Sequence, residues 1–337
     1  MNKYYIYAFG LLSLLFSTSC SHEDILEYEE NTETRKVGEY IKNNFDLTLF
    51  YTAMKKTGLV EELSSNEIVT AFVPNNKAFN SIGIYRDSDF DKLNQDSLKT
   101  MLSYCIFPFA IWRADVPLKS VDTEYKNKAG KEVFISIDNY TKSKMYINGV
   151  TISYSDIKCS NGVLHIINAM LKYDNIDMQE FLSKHKEYTC FVAALKKFGY
   201  WDKLKEEGPW TLVAPDNDAF NATGLTVSDI ENLDPSKYRA RLFGGYLFKT
   251  RLFMSDLQVF DGTSSSTLVP IENDEIASTG LYGDNLLIFK RLKESRYSKS
   301  ITLSPPYRIN YLINNGVVHR TSTLLFQPDE ALLTTNP

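Results

Sequence analysis

Two histidines are the side chains best placed for chemistry. His165 and His319 each close an Asn-Gly-Val-x-His run, Asn161–His165 and Asn315–His319. An imidazole titrates near neutral pH and can act as a general base or a metal ligand. A zinc site, however, needs three or four converging ligands. The chain has four histidines, one of them (His22) in an acidic N-terminal segment, so no zinc constellation can be drawn. A lone histidine inside an apolar strand is instead expected to be packed and hydrogen-bonded. The sequence has no Gly-x-Ser-x-Gly elbow, phosphate loop or dinucleotide fingerprint. Carboxylates are many but scattered, and glycoside cleavage would need two facing each other across a cleft, which spacing does not show. Of four cysteines, Cys20 falls in the leader, and the odd remainder of Cys105, Cys159 and Cys190 permits at most one disulfide. All three lie in apolar surroundings and read as small buried hydrophobes, with no bridge expected. No metal and no cofactor is implied. Tyrosine and phenylalanine number 21 and 20. A sugar-stacking platform is conceivable around Phe107, Phe109 and Trp112, or Trp201 and Trp210, although most of these positions are ones a core would need.

The elements that must position these residues occur twice. Thr70–Phe79 and Thr211–Phe220 both read Thr, three apolar residues, Pro, Asn or Asp, Asn, a charge, Ala, Phe. The apolar triplet predicts a short buried strand. Pro74 or Pro215 ends it, having no N–H to donate. Asn75 or Asp216 can then cap a helical turn, and Phe79 or Phe220 anchors it. Shifted by 141 residues, the chain aligns with itself without gaps from Glu39 to Gly83. Upstream of each corner, Leu49, Ala53 and Met54, or Phe191, Ala194 and Leu195, have helical spacing. Lys55-Lys56 and Lys196-Lys197 suit the last turn, and Gly58 and Gly199 suit a left-handed cap.

Downstream, Leu98–Phe107 and Tyr238–Leu247 read as helical or helix-to-strand. Period-two alternation over 130–157, with Asn148-Gly149 between β-formers, predicts a hairpin. The matching region of the second half is longer and more polar, through Gly262–Ser266 and Gly280–Phe289, and reads as strands with an insert. Each half closes on Asn161-Gly162 or Asn315-Gly316, read as a tight turn before a β-branched strand. The tail from Gln327 to Pro337 reads as frayed.

With 337 residues, 43% of them apolar and 23% charged, the chain can bury a core in each of two domains. The net charge of -5 and the lack of a basic cluster exclude nucleic acid as the expected partner. Residues 1–20 read as a targeting segment: Lys3, an apolar stretch from Ile6 to Phe16 too short to span a bilayer, then Ser17-Thr18-Ser19-Cys20. Residues 21–36 carry an acidic run that repels itself and reads as a solvated tether.

Taken together, Thr-x-x-x-Pro-x-Asn-x-Ala-Phe followed by Asn-Gly-Val-x-His, found twice, resembles the two boxes of the fasciclin (FAS1) domain family. The resemblance covers residues 37–327. It implies an α+β chain of two tandem FAS1 domains, 37–174 and 175–327, each a β-sandwich or wedge flanked by helices, with a tail at 328–337. The motif residues Thr70, Pro74, Asn76, Phe79, Asn161, Gly162 and His165, with Thr211, Pro215, Asn217, Phe220, Asn315, Gly316 and His319, are then structural. Many family members carry a Tyr-His pair associated with adhesion. Here the pair reads Tyr104-Cys105 and Tyr246-Leu247, so Tyr104 and Tyr246 are the binding candidates and the histidine is absent from both. The second copy also has Arg320-Thr321 where the family is usually aliphatic. Ser-Thr-Ser-Cys resembles a relaxed lipobox of Bacteroidetes lipoproteins, with Cys20 lipidated, and the acidic run resembles their surface-export signal. The implied protein is a non-enzymatic outer-membrane lipoprotein facing outward. It is held by its lipid and binds an extracellular glycan or protein by adhesion or capture. An accessory role beside an outer-membrane nutrient transporter is the alternative, and a surface hydrolase using scattered carboxylates is a further one.

Overall fold

A parallel strand pair lies at the centre of each repeat. In this computed structural model the described residues are 34–118, 123–138, 144–238, 242–256 and 309–333. The backbone is also described at 267–270, 276–281, 286–291 and 298–302. The lipidation candidate Cys20, most of the acidic run and the Gly262–Ser266 insert lie outside them.

In the first repeat, short helices at Val37–Lys42, Thr48–Thr57 and Val60–Leu63 precede strand β1, Val69–Pro74, every residue of which is buried. Gly58 caps the Thr48–Thr57 helix in the left-handed conformation at φ 73°. After β1, Asn75 turns the chain into the Asn76–Asn80 helix, its side chain accepting from the Ala78 N–H at 3.0 Å. The helix Gln95–Ser103 leads to β2, Ile106–Phe107. Strands β3 (Thr123–Lys126), β4 (Glu132–Ile137), β5 (Met145–Ile147), β6 (Val150–Cys159) and β7 (Gly162–Ile167) follow. They form one sheet in the order β2-β1-β7-β6-β5-β4-β3, with β1 and β7 parallel and the rest antiparallel. Register shifts in β6 around Tyr154 bend this sheet. One core lies under the helices, around Phe50, Phe79 and Phe90. The other lies inside the meander, around Phe107, Ile135 and Ile147.

The second repeat begins with β8, Tyr173–Asp174, and the helices Met178–Lys184 and Thr189–Lys197. Strand β9, Trp210–Pro215, is again wholly buried and is followed by the Asn217–Asn221 helix, capped by Asp216. Then come the helix Val227–Asn232 and β10, Leu247–Phe248. Strands β11 (Thr267–Pro270), β12 (Ile276–Leu281), β13 (Leu286–Arg291) and β14 (Ser298–Thr302) form an antiparallel meander of their own. Strands β15 (Tyr311–Ile313) and β16 (Gly316–Thr321) close the domain in a sheet ordered β10-β9-β16-β15-β8. The two repeats belong to one compact unit, Arg35–Pro337.

Three sequence readings are corrected. The closing turns are Ser160-Asn161 and Asn314-Asn315, one residue earlier than the Asn-Gly reading, because Cys159 pairs with Gly162 and Ile313 with Gly316. The glycines therefore open the strands. The tether ends sooner than 36: the Arg35 carbonyl accepts from Ser160 N, and the Lys36 ammonium donates to the Ser64 carbonyl. Residues 173–174, at the end of the first domain, also pair in parallel with β15. The tail is not frayed through residue 333. Pro328–Ala331 is helical, Ala331 is fully buried, and Leu333 N bonds to the Lys237 carbonyl.

Candidate functional site

Each motif residue is spent on joining chain segments that are distant in sequence. The Thr70 hydroxyl donates to the Phe109 carbonyl and accepts from Ile111 N, at 2.7 and 2.8 Å. Thr211 does the same with Thr250 and Leu252, at 2.6 and 2.9 Å. The Asn76 amide accepts from Leu49 N and donates to the Phe45 carbonyl, and Asn217 does so with Cys190 N and the Lys186 carbonyl. Phe79 and Phe220 are fully buried, and Pro74 and Pro215 sit at the ends of β1 and β9. Asn161 accepts from Val37 N and donates to the carbonyls of Leu63 and Ser65. Asn315 reaches Met178, Leu204 and Glu206 in the same way. This asparagine ties the first helix and the loop before the central strand to the closing hairpin, a role that its reading as a turn former missed.

The histidines complete the pattern. His165 Nδ1 accepts from Asp156 N at 3.2 Å, and Nε2 faces the Ile111 carbonyl at 2.9 Å. His319 Nδ1 accepts from Asn310 N at 3.2 Å, and Nε2 faces the Leu252 carbonyl at 2.8 Å. An Nδ1 acceptor and an Nε2 donor define a neutral imidazole. Burial lowers the basicity of both rings, that of His319 to about 4. No group of three or more His, Cys, Asp or Glu side chains that could hold a metal occurs among the described residues.

The neutral rings carry a pH dependence. The unfolded His319 takes up its proton near the ordinary value of about 6.5, whereas the folded one does so only near 4. Between those values the unfolded chain binds more protons, so stability is full above about pH 6.5 and is lost as pH falls toward 4. His165 shifts in the same direction. A loss of roughly 1–2 kcal/mol between pH 7 and about pH 5 is expected from urea unfolding; a flat profile would contradict the neutral assignment.

Tyr104 and Tyr246, the binding candidates, are corrected. Both are buried. Tyr104 donates to the Glu132 carbonyl, accepts from Asn148 Nδ2 and stacks on Tyr173. The Tyr246 hydroxyl accepts from Leu325 N. Neither ring is available to a ligand, and burial raises both hydroxyl pKa values. Phe107 and Trp210 are likewise core residues. The three cysteines are free and buried, with Cys105 pushed up to about 12.

The surface that the sequence did not show is the junction between the repeats. The Asn148-Gly149 tip of the β5–β6 hairpin has φ 47° and 75°. It fits against the second domain, where Asn310 Nδ2 donates to the Gly149 carbonyl at 3.3 Å. Phe134, Phe253, Leu312 and Val317 form a small apolar core there, with Tyr173 against it. Arg251 lies 3.9 Å from the Phe134 ring centroid. The buried Ser136 hydroxyl faces Asp256, and the Tyr173 hydroxyl donates to Asn314. Burying each such apolar side chain is worth roughly 1.5–3 kcal/mol, enough to hold the domains together. Two clefts flank the junction. One, of about 210 Å³, is lined by Lys131, Glu132, Tyr173, Arg251, Leu312 and Asn314 among others. The other, of about 190 Å³, includes Val150, Met170, Lys172 and Ile309. Burial lowers the Lys172 ammonium to about 8.

A Cβ at Gly149 would stand 2.8 Å from Phe253 Cβ and meet the Asn310 amide, at a φ that disfavours side chains. Gly149→Ala is expected to separate the domains while leaving each folded. It should appear as a larger radius in small-angle scattering with helix content unchanged.

The fasciclin domain profile matches residues 45–173 and 186–327. Human periostin is 25% identical over 194 residues, which is 57% of this chain and 22% of periostin. The protein sll1483 of Synechocystis is 28% identical over 134 residues, covering 40% of this chain and 71% of its own. Pig transforming growth factor-beta-induced protein ig-h3 is 25% identical over 197 residues, 58% of this chain and 26% of that protein. The chain thus spans about a quarter of the two animal proteins. A solved FAS1 domain pair from the insect cell adhesion molecule Fasciclin I aligns with 85% of this chain and 99% of its own, with a TM-score of 0.40 and 17% identity.

Proposed function

The chain belongs to the fasciclin domain family, and from that premise we propose that it is a non-enzymatic protein that holds an extracellular ligand, glycan or protein, by adhesion or capture. Fasciclin domains are found in cell-adhesion proteins. One observation carries the reading: in both repeats the motif side chains are occupied in building the fold. What is left for recognition is surface, and the junction is where both domains contribute to it. In this reading Cys20 bears the lipid, the acidic run is the tether, and the pair faces outward from an outer membrane. The support for this arrangement is the Ser-Thr-Ser-Cys sequence and the acidic run that follows. Accessory capture beside an outer-membrane nutrient transporter is the variant in which the ligand is passed on.

Two experiments test this. The full-length chain is expected to bind at least one member of a broad panel of glycans and matrix proteins; no binding would contradict capture. Fatty-acid labelling is expected to be lost in Cys20→Ala, and external protease to cleave the protein on intact cells. Retained labelling or full protection would contradict the anchoring and the outward display.

A further inference from the structure

Three exposed apolar side chains of the first domain lie on adjoining turns, and we propose that they form a face that rests on a lipid surface, with Phe45 and Ile82 entering the headgroup layer. The inference rests on the reading of Cys20 as the lipid-bearing residue. Phe45 is 90% exposed, Tyr85 68% and Ile82 46%. The Asn76 side chain donates to the Phe45 carbonyl and to the Thr48 hydroxyl, which ties Phe45 to the start of the Asn76–Asn80 helix. Ile82 follows that helix, its N–H donating to the Phe79 carbonyl. The Thr52 hydroxyl donates to Asp87 and so brings the Tyr85 segment against the Thr48–Thr57 helix, which Phe45 precedes.

The second repeat shows what the fold alone requires at these places. The 141-residue shift puts Lys186 at Phe45, Asp218 at Lys77 and Thr223 at Ile82. The same bonds hold the same turns there: Asn217 donates to the Lys186 carbonyl, and Thr223 N to the Phe220 carbonyl. Folding is thus served by polar side chains, and the apolar ones of the first repeat answer something outside it. An aromatic ring and an aliphatic chain exposed beside lysines have the composition of a membrane-interface surface. The apolar groups enter the interface, while Lys42 and Lys77, both exposed, reach lipid phosphates. Asp218 would be repelled by those phosphates, which confines the contact to the first repeat. The position of the face agrees. Even fully extended, the chain from Cys20 to Thr34 spans at most about 50 Å, and the Val37–Lys42 helix that follows is about 9 Å long. A lipid on Cys20 would therefore keep Phe45, just beyond that helix, within reach of the bilayer.

The test uses the full chain with phosphatidylcholine vesicles and a nitroxide at Lys77→Cys or, separately, at Asp218→Cys, the matching helix position of the second repeat. Oxygen partitions into lipid and a nickel chelate stays in water, so their collisions with the nitroxide report its surroundings. When vesicles are added, the Lys77→Cys label is expected to gain oxygen contact and to lose chelate contact several-fold, while the Asp218→Cys label does not change. The effect should persist at high salt, because apolar contact rather than charge carries it. Phe45→Ser combined with Ile82→Ser should return the first label to its values in water and leave the thermal midpoint in place, since both side chains are exposed. That pairing separates lipid contact from folding. No change at the first label, equal changes at both, or indifference to the double substitution would each overturn the proposal. Loss of contact with both reagents would also overturn it, because protein rather than lipid would then cover the face. If fatty-acid labelling depends on Cys20 while the first label stays in water, the face alone falls; if labelling does not depend on Cys20, the anchor falls and takes this inference with it.

Discussion

Gly162→Ala is expected to destabilise the first domain by about 4 kcal/mol or more, which places it among the severe single substitutions. Gly162 opens β7 beside β1, and a Cβ there would fall on the Val69 carbonyl. Its φ of 145° is a region that side chains rarely adopt, adding roughly 1–3 kcal/mol of strain. Gly316 meets the Trp210 carbonyl in the same way, without the unusual φ. Gly316→Ala should therefore be milder than Gly162→Ala. Thermal unfolding should show a midpoint lower by on the order of 10 °C for Gly162→Ala. An unchanged midpoint would mean that the parallel pair is not as close as described.

Arg320→Ile is expected to cost about 3 kcal/mol, and adding Asp216→Asn should recover most of it. The Asp216 carboxylate is fully buried at the cap of the Asn217–Asn221 helix, accepting from Ala219 N at 3.0 Å and from the Ser322 hydroxyl at 2.8 Å. Arg320 Nε donates at 2.7 Å to Oδ2, the oxygen that also accepts from Ser322, and Glu187 lies 3.8 Å from the guanidinium. Removing one partner of a buried pair strands the other charge. The first repeat shows the neutral solution: Asn75 is the cap, and Ile166 faces Val73 where Arg320 faces Ala214. The double variant copies that arrangement. Chemical denaturation of both variants measures the effect, and failure of Asp216→Asn to rescue would show that Arg320 acts by something other than neutralising Asp216.

That comparison also shows what the chain revealed before its structure. Arg320 stood out as polar at an aliphatic position, but its partner lies 104 residues away and periodicity carries no long-range pairing. The strand-to-helix corners were legible because proline, a capping Asn or Asp and a buried Phe act within a few residues. The Asn-Gly run was legible as a motif and misread as a turn: its asparagine bonds to backbone up to 124 residues away, and its glycine answers a neighbouring strand. Tyr104 and Tyr246 were placed by resemblance, and only burial could show that they brace the core. The junction left the faintest trace. Asn148-Gly149 announced a hairpin, yet nothing local says that Asn310 and Phe253 close over its tip. The tail misled because its polar residues hide Ala331, which the second core takes in.

Duplication produced two fasciclin domains that meet at a junction within one unit, Arg35–Pro337. Spin labels on exposed sites, one at Gln95 at the start of the Gln95–Ser103 helix and one at Glu231 near the end of the Val227–Asn232 helix, report the distance between domains in the full chain. One narrow distance distribution is expected, and it broadens in Gly149→Ala. A broad distribution in the unaltered protein would contradict it, because domains that tumble independently cannot share a composite cleft.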